Sequence, residues 1–195
     1  MSKGLDTKET ILRTACELSS KFGFEALSIG KLATKVGLSK SGLFGHFNSK
    51  EQLQIDVLNY TAENFTAKVL RPAVKKPRGL ARVDAIIANW LEWSKYEKGG
   101  CPLLAAAIEF DDRPGEIRKV VRALYEQQIN FYKRAFQIAV ECGELPKDTD
   151  INQIVYEFYS LLVGQHIYTR LLKDQSVEER LLLAYEQLKA KFSNP

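Results

Sequence analysis

The chain is expected to be all-α, about nine helices forming an N-terminal three-helix helix-turn-helix domain and a C-terminal helical body, and three observations lead there. Apolar residues recur at helical spacing through nearly all of the 195 residues. No segment alternates as a half-buried strand does. The six prolines, Pro72, Pro77, Pro102, Pro114, Pro146 and Pro195, punctuate the periodic segments or end the chain.

The elements follow in order. A first helix is announced by Asp6 and Glu9 in capping-box spacing, carries Ile11, Ala15, Leu18 and Phe22 on one face, and stops at Gly23. A second begins after Ser28, buries Ile29, Leu32, Ala33 and Val36, and ends at Gly37. Ser39 caps a third, equally short, that runs through His46; Ser49 and Gln52 then open a long helix carrying Leu53, Val57, Phe65 and Val69. The break "LRPAVKKPRGL" separates it from a helix spanning about Ala81 to Tyr96, which Gly99 and Gly100 end. A short apolar helix, "PLLAAAIEF", and the turn "DDRPG" lead to a long helix with the stripe Ile117, Val120, Val121, Leu124, Gln128, Phe131, Ala135, Ile138 and Cys142. Two more helices carry Ile151, Ile154, Val155, Phe158, Leu161 and Leu162, then Val177, Leu181, Ala184, Tyr185, Leu188 and Phe192.

Composition narrows the function. With 45% hydrophobic and 27% charged residues the chain has ordinary globular make-up and can bury a core. No apolar run approaches the roughly 18 residues of a membrane span, and the charged N-terminal stretch lacks the pattern of a signal peptide, so no membrane association and a cytoplasmic location are expected. Cys16, Cys101 and Cys142 are far apart, no CxxC occurs, and the chain has two histidines, so neither a disulfide framework nor a metal site is suggested, and no cofactor is expected. The formal charge of +4 is unevenly spread: residues 1–50 hold 8 Lys+Arg against 4 Asp+Glu, leaving 20 against 20 for the remainder. A basic excess confined to one end is the footprint of a polyanion-binding module.

The stretch "KVGLSKSGLFGHFNSKEQL" explains the two small helices. A helix of two turns does not stand alone in water, so helices two and three must be held by helix one and by each other. Gly37 supplies the positive φ of a sharp turn, Leu38 a buried plug and Ser39 the next cap, which is the layout of a helix-turn-helix. Small residues on the outer face of helix three, Ser39, Ser41, Gly42 and Gly45, would let its backbone approach a DNA groove, with Lys40 reaching a phosphate or a guanine edge.

These residues, "SIGKLATKVGLSKSGLFGHFNSKEQL" with the lead-in "ILRTACELSSKFGFEALS", resemble the N-terminal signature of the Tet repressor family of bacterial transcriptional regulators over about residues 7–55. A second string, "GCPLLAAAIEFDDRPG", is similar to the ligand-binding region of one subset of that family. With no glycine-rich phosphate loop, no metal spacing and no nucleophile-base-orienter set, no enzyme, no catalytic residue and no metal are expected, and the resemblance implies a DNA-binding domain over residues 1–49 and a ligand-binding and dimerisation domain over 50–195. It places Ser28 on a phosphate, Lys40 and Ser41 near bases, and His46 and Lys50 near the DNA backbone, with Ser39, Gly42 and Phe44 completing the contact face. Each has a plainer reading: Ser28 as an N-cap, His46 as a brace between helices three and four, Lys50 as a solvated first-turn lysine. The family commonly has threonine at Gly42 and tyrosine at Phe44, so two hydroxyls are missing here, and Phe44 either packs or leaves the phosphate to another residue.

One such module reads few base pairs, so a homodimer on a pseudo-palindromic double-stranded operator is expected. The final two helices are the natural dimer elements, through Phe158, Leu161, Leu162, Leu181, Tyr185 and Leu188, unless the chain's own core consumes those stripes. A pocket for an apolar or aromatic inducer is sought between helices four and eight, among Trp90, Trp93, Cys101, Phe110, Gln128, Phe131, Tyr132, Tyr159 and His166, with Asn89 and Gln165 as further polar interruptions. Core packing explains any single aromatic equally well. Cys101, before Pro102 at a helix start, is either a reactive thiolate or an inert buried thiol. Two other functions remain: a thiol enzyme using Cys101 with His166, for which no nucleophile-base-orienter set is visible, and a DNA-bound scaffold for another protein.

Overall fold

The computed structural model describes residues 3–96 and 99–193. Nine helices, and no strand, occur among them: α1 (Lys3–Phe22), α2 (Ile29–Val36), α3 (Lys40–Phe44), α4 (Lys50–Phe65), α5 (Leu80–Tyr96), α6 (Pro102–Phe110), α7 (Glu116–Glu141), α8 (Ile151–Ile167) and α9 (Val177–Ser193). The helix α4 continues through a wider π-turn, Thr66–Leu70, and a last turn, Arg71–Val74; a second π-turn, Tyr168–Leu172, extends α8. The chain forms two compact units, one made of the residues up to Asn64 with a segment ending at Leu124, the other of Phe65–Tyr96 and the chain from Tyr125 on.

In the first unit the small helices are held as their length requires. Leu32 and Ala33 of α2 and Leu43 of α3 are buried with Ile11 and Ala15 of α1, Phe24, Phe47 and Leu53. Ser28 caps α2 by accepting from the Lys31 N–H at 3.2 Å, and Gly37, left-handed at φ 71°, ends it. Ser39 caps α3, accepting from the Gly42 N–H at 3.0 Å, and Ser49 accepts from the Gln52 N–H at 3.0 Å where α4 begins.

Three local expectations are corrected. α1 begins at Lys3, so Asp6 lies inside the helix rather than ahead of its first residue. Phe22 is 66% exposed; the buried face of α1 turns instead through Ile11, Ala15, Cys16 and Ser19, because Gly23 redirects the chain one residue after Phe22. α3 ends at Phe44, leaving His46 in the following turn, and the plug under it is Leu43, with Leu38 only half-buried.

In the second unit Tyr132 and Phe136 of α7, Phe158 of α8 and Tyr185 of α9 form the centre, with ring centroids 5.3 Å apart for Tyr132–Phe158 and Phe136–Phe158 and 6.0 Å for Phe158–Tyr185. The Tyr185 hydroxyl donates to Asp84 at 2.8 Å, and burial together with that carboxylate drives its phenol far above the usual range. The helix expected to break at "LRPAV" continues to Val74, because the π-turn just ahead of Pro72 absorbs the hydrogen bond that proline cannot donate. Cys142 lies past the end of α7 and is exposed.

Candidate nucleic-acid interface

α3 turns Leu43 inward and leaves Lys40, Ser41, Gly42 and Phe44 exposed. Phe44 is 50% exposed, so packing uses only part of its ring. The Ser39 and Ser41 hydroxyls lie 3.1 Å apart, and a Cβ at Gly42 would come 3.1 Å from Ser39 Oγ. A threonine at Gly42 would therefore press on the cap of its own helix, which gives the glycine a local reason.

Lys40 reaches back along the first turn of α2. A Cβ at Gly30 would meet its Cε at 3.2 Å and its Nζ at 3.7 Å. The ammonium thus lies beside the α2 N-terminus, the end that Ser28 caps, where backbone N–H groups and the helix dipole favour an anion. Ser28 and Lys40, expected on separate contacts, come together in the fold over Gly30, which in the sequence looks like an ordinary helix residue.

A second arrangement fixes the turn between α1 and α2. Glu109 of α6 accepts from the Phe24 N–H at 2.8 Å and the Glu25 N–H at 2.6 Å. The buried Gln54 amide of α4 donates to Phe24 O at 2.8 Å, and the Phe24 ring meets Phe110 edge-on at 6.2 Å. Gly23, at φ 81°, takes the left-handed conformation that favours glycine, and a Cβ there would push on Glu109 Oε2 at 2.9 Å. Lys50 belongs to this clamp, donating to Glu25 O at 2.9 Å and pairing with the Glu25 carboxylate at 3.3 Å. A phosphate contact by Lys50 must compete with those bonds. His46 is half-buried, its ring 6.4 Å from Phe47.

The residues sought as a ligand pocket divide between the units. In the first, Phe110 packs on Phe24, and Cys101 is buried ahead of α6. In the second, Trp90 and Trp93 pack edge-on against Phe65 at 6.1 and 5.8 Å. The Trp90 indole N–H donates to Gln165 at 3.0 Å, Asn89 donates to Val69 O at 2.8 Å and Gln128 donates to the Tyr132 hydroxyl at 2.7 Å. Asn89, Gln128 and Gln165 thus find partners within the chain, whereas the indole N–H of Trp93 is buried with no hydrogen-bond partner. His166 is half-buried, and burial, with the Arg170 charge, holds its imidazole below the usual range. Tyr159 is half-buried against Tyr125 and Tyr132, and Phe131 lines a cavity of about 200 Å³.

The dimer residues are corrected likewise. Phe158, Leu162, Leu181, Tyr185 and Leu188 are buried inside the chain itself, binding α8 to α9, so they offer no surface to a partner; Leu161 is half-buried. The exposed apolar residues of this region are their neighbours Tyr156, Ile167, Tyr168, Leu171, Leu172, Leu182 and Leu183. Leu161 and Tyr168 line a groove of about 250 Å³ between α8 and α9.

An all-helical chain with a capped tri-helical module of this form defines the class of helix-turn-helix DNA-binding regulators. Residues 79–185 match the tetracyclin repressor-like C-terminal domain, and residues 11–57 match the bacterial regulatory proteins of the tetR family. The chain belongs to the TetR family of bacterial transcriptional regulators, DNA-binding proteins and not enzymes. It is 24% identical over 105 residues to the nucleoid occlusion factor SlmA of Marinomonas sp., a match over 54% of this chain; the chain spans about half the length of that relative, 53%. A TetR transcriptional regulator from Chloroflexus aurantiacus shares the fold at a TM-score of 0.85 with 26% identity, covering 97% of this chain and 96% of that one. AibR, in its complex with isovaleryl coenzyme A and operator DNA, has the same fold at a TM-score of 0.72 and 21% identity, over 97% of this chain and 100% of its own. Among the described residues no helix is long and apolar enough to cross a membrane.

Proposed function

We propose that this chain is a homodimeric repressor that binds a pseudo-palindromic operator and is released from it by a small molecule. The observation that carries the reading is the exposed face of α3, small and cationic, with Lys40 laid beside the capped start of α2. In this reading Ser28 and the first N–H groups of α2 hold a phosphate with Lys40, while Ser41, Gly42 and Phe44 meet base edges and methyl groups. Residues 1–49 carry those contacts, and residues 50–195 carry ligand binding and dimerisation. The dimer forms on the exposed apolar residues of α8 and α9, which a lone chain would leave in water. AibR, a protein of this fold, takes both an acyl thioester and an operator, which supports a small-molecule site in such a fold. Release by a hundredfold requires the ligand to prefer the DNA-incompetent state by about 3 kcal/mol.

The test is footprinting on DNA upstream of the chain's own gene, with a salt titration. A protected pseudo-palindrome with steep salt dependence supports the reading; no preference over random DNA, there or among sites selected from a random library, overturns it.

A further inference from the structure

We infer that the cavity beside Phe131 binds a small amphipathic anion, of which a medium-chain carboxylate is the simplest example. The cavity has an apolar floor, Val74 from the tail of α4 with Phe131, Ala135 and Ile138 from α7, and is flanked by two guanidiniums, Arg82 of α5 and Arg134 of α7. Its volume of about 200 Å³ lies below the roughly 300–1,000 Å³ of sites for drug-sized molecules, so its occupant is small.

Charge selects the ligand class. Arg134 donates to the two Glu141 oxygens at 2.5 and 3.4 Å, and Arg78 pairs with the same carboxylate at 3.0 Å. Arg82 donates through Nε to Lys76 O at 3.2 Å, one of the five donors a guanidinium carries. Arg78 and Arg134 share the Glu141 carboxylate, the Glu144 carboxylate accepts from the Leu80 N–H, and no acidic residue lines the cavity itself. A cation would be repelled there, and a neutral apolar molecule would use the floor alone. An anion with an apolar tail uses both, its head taking the planar donor pairs that arginine presents to carboxylates.

The binding claim stands apart from DNA release; only its regulatory consequence rests on the function proposed above. The test is calorimetry on the full chain with octanoate, octanol and octylamine. Octanoate should bind at least about tenfold more tightly than octanol, and octylamine should not bind. Arg82→Gln and Arg134→Gln should each weaken octanoate by about tenfold and leave octanol unchanged. Glu141→Gln should tighten octanoate, because it removes the competing carboxylate from Arg134. Thermal melts confirm that the variants fold. Absence of octanoate binding, equal affinity for octanol, or octanoate affinity indifferent to both arginine substitutions overturns the assignment. Octanoate bound in the expected pattern without any change in operator affinity keeps the site and overturns ligand release instead.

Discussion

α3 and the α8–α9 pair both face outward, yet they expose opposite chemistries. α3 shows serine, glycine, one lysine and half of one phenyl ring, held from beneath by Leu43. α8 and α9 show large leucines and tyrosines above a core already closed by Phe158, Leu162 and Leu181. A surface poor in side chains lets another backbone come close, as in a nucleic-acid groove. A surface rich in apolar side chains gains by removing itself from water, as against a second protein chain. The lesson is that a helix declares its partner through what it leaves exposed after its own core is satisfied.

The largest effect should come from putting charge on the apolar surface. Leu171→Asp with Leu183→Asp, at sites 74% and 61% exposed, should leave the chain folded but monomeric by sedimentation velocity and abolish operator binding; a dimer that persists breaks the comparison. Next comes the support beneath α3: Leu43→Ala should cost about 2–5 kcal/mol of stability in denaturant titration, whereas Phe44→Ala, a residue away, should change it by less than about 0.5 kcal/mol while weakening operator binding. Lys40→Ala should weaken operator binding roughly tenfold and lower the salt-dependence slope by about 1.

The smallest expected effect concerns pH. The folded chain holds His166 below its usual range, so the unfolded chain binds that proton more readily. Stability should therefore fall as pH drops through about 6.5, the ordinary histidine value, and replacing His166 by Gln should flatten that part of the curve of melting temperature against pH.

The helices themselves were legible in the sequence because each announces itself locally. Ser28, Gly37, Ser39 and Ser49 act within four residues of where they stand, and apolar periodicity marks the rest. Two things were not legible. Periodicity finds an apolar stripe but not which of its members the chain consumes, so it offers Phe158 and Leu181 as interface and gives no sign of Leu171 and Leu183 at the edge. A polar residue on an apolar face announces a need but not its partner: Gln54 meets Phe24, thirty residues away, and Gln165 meets Trp90, seventy-five away. Those partners become neighbours only in the fold, so the sequence alone offers Gln165 as a group awaiting a ligand when Trp90 already meets it. The corner of Arg78, Arg82 and Arg134 is illegible in the sequence for the same reason, its members lying in the turn before α5, on α5 and on α7.

The clamp at the start of α2 has a consequence in the order of events on the ribosome. Phe24 and Glu25 receive the Glu109 carboxylate only once the chain has been made well past the long helix that follows the DNA-contacting segment. At ~5–20 residues per second, the nascent helix-turn-helix waits several seconds after Asn64, the last residue of its own first stretch, for that carboxylate. A newly made copy therefore gains its finished reading head only after much of the remaining chain exists.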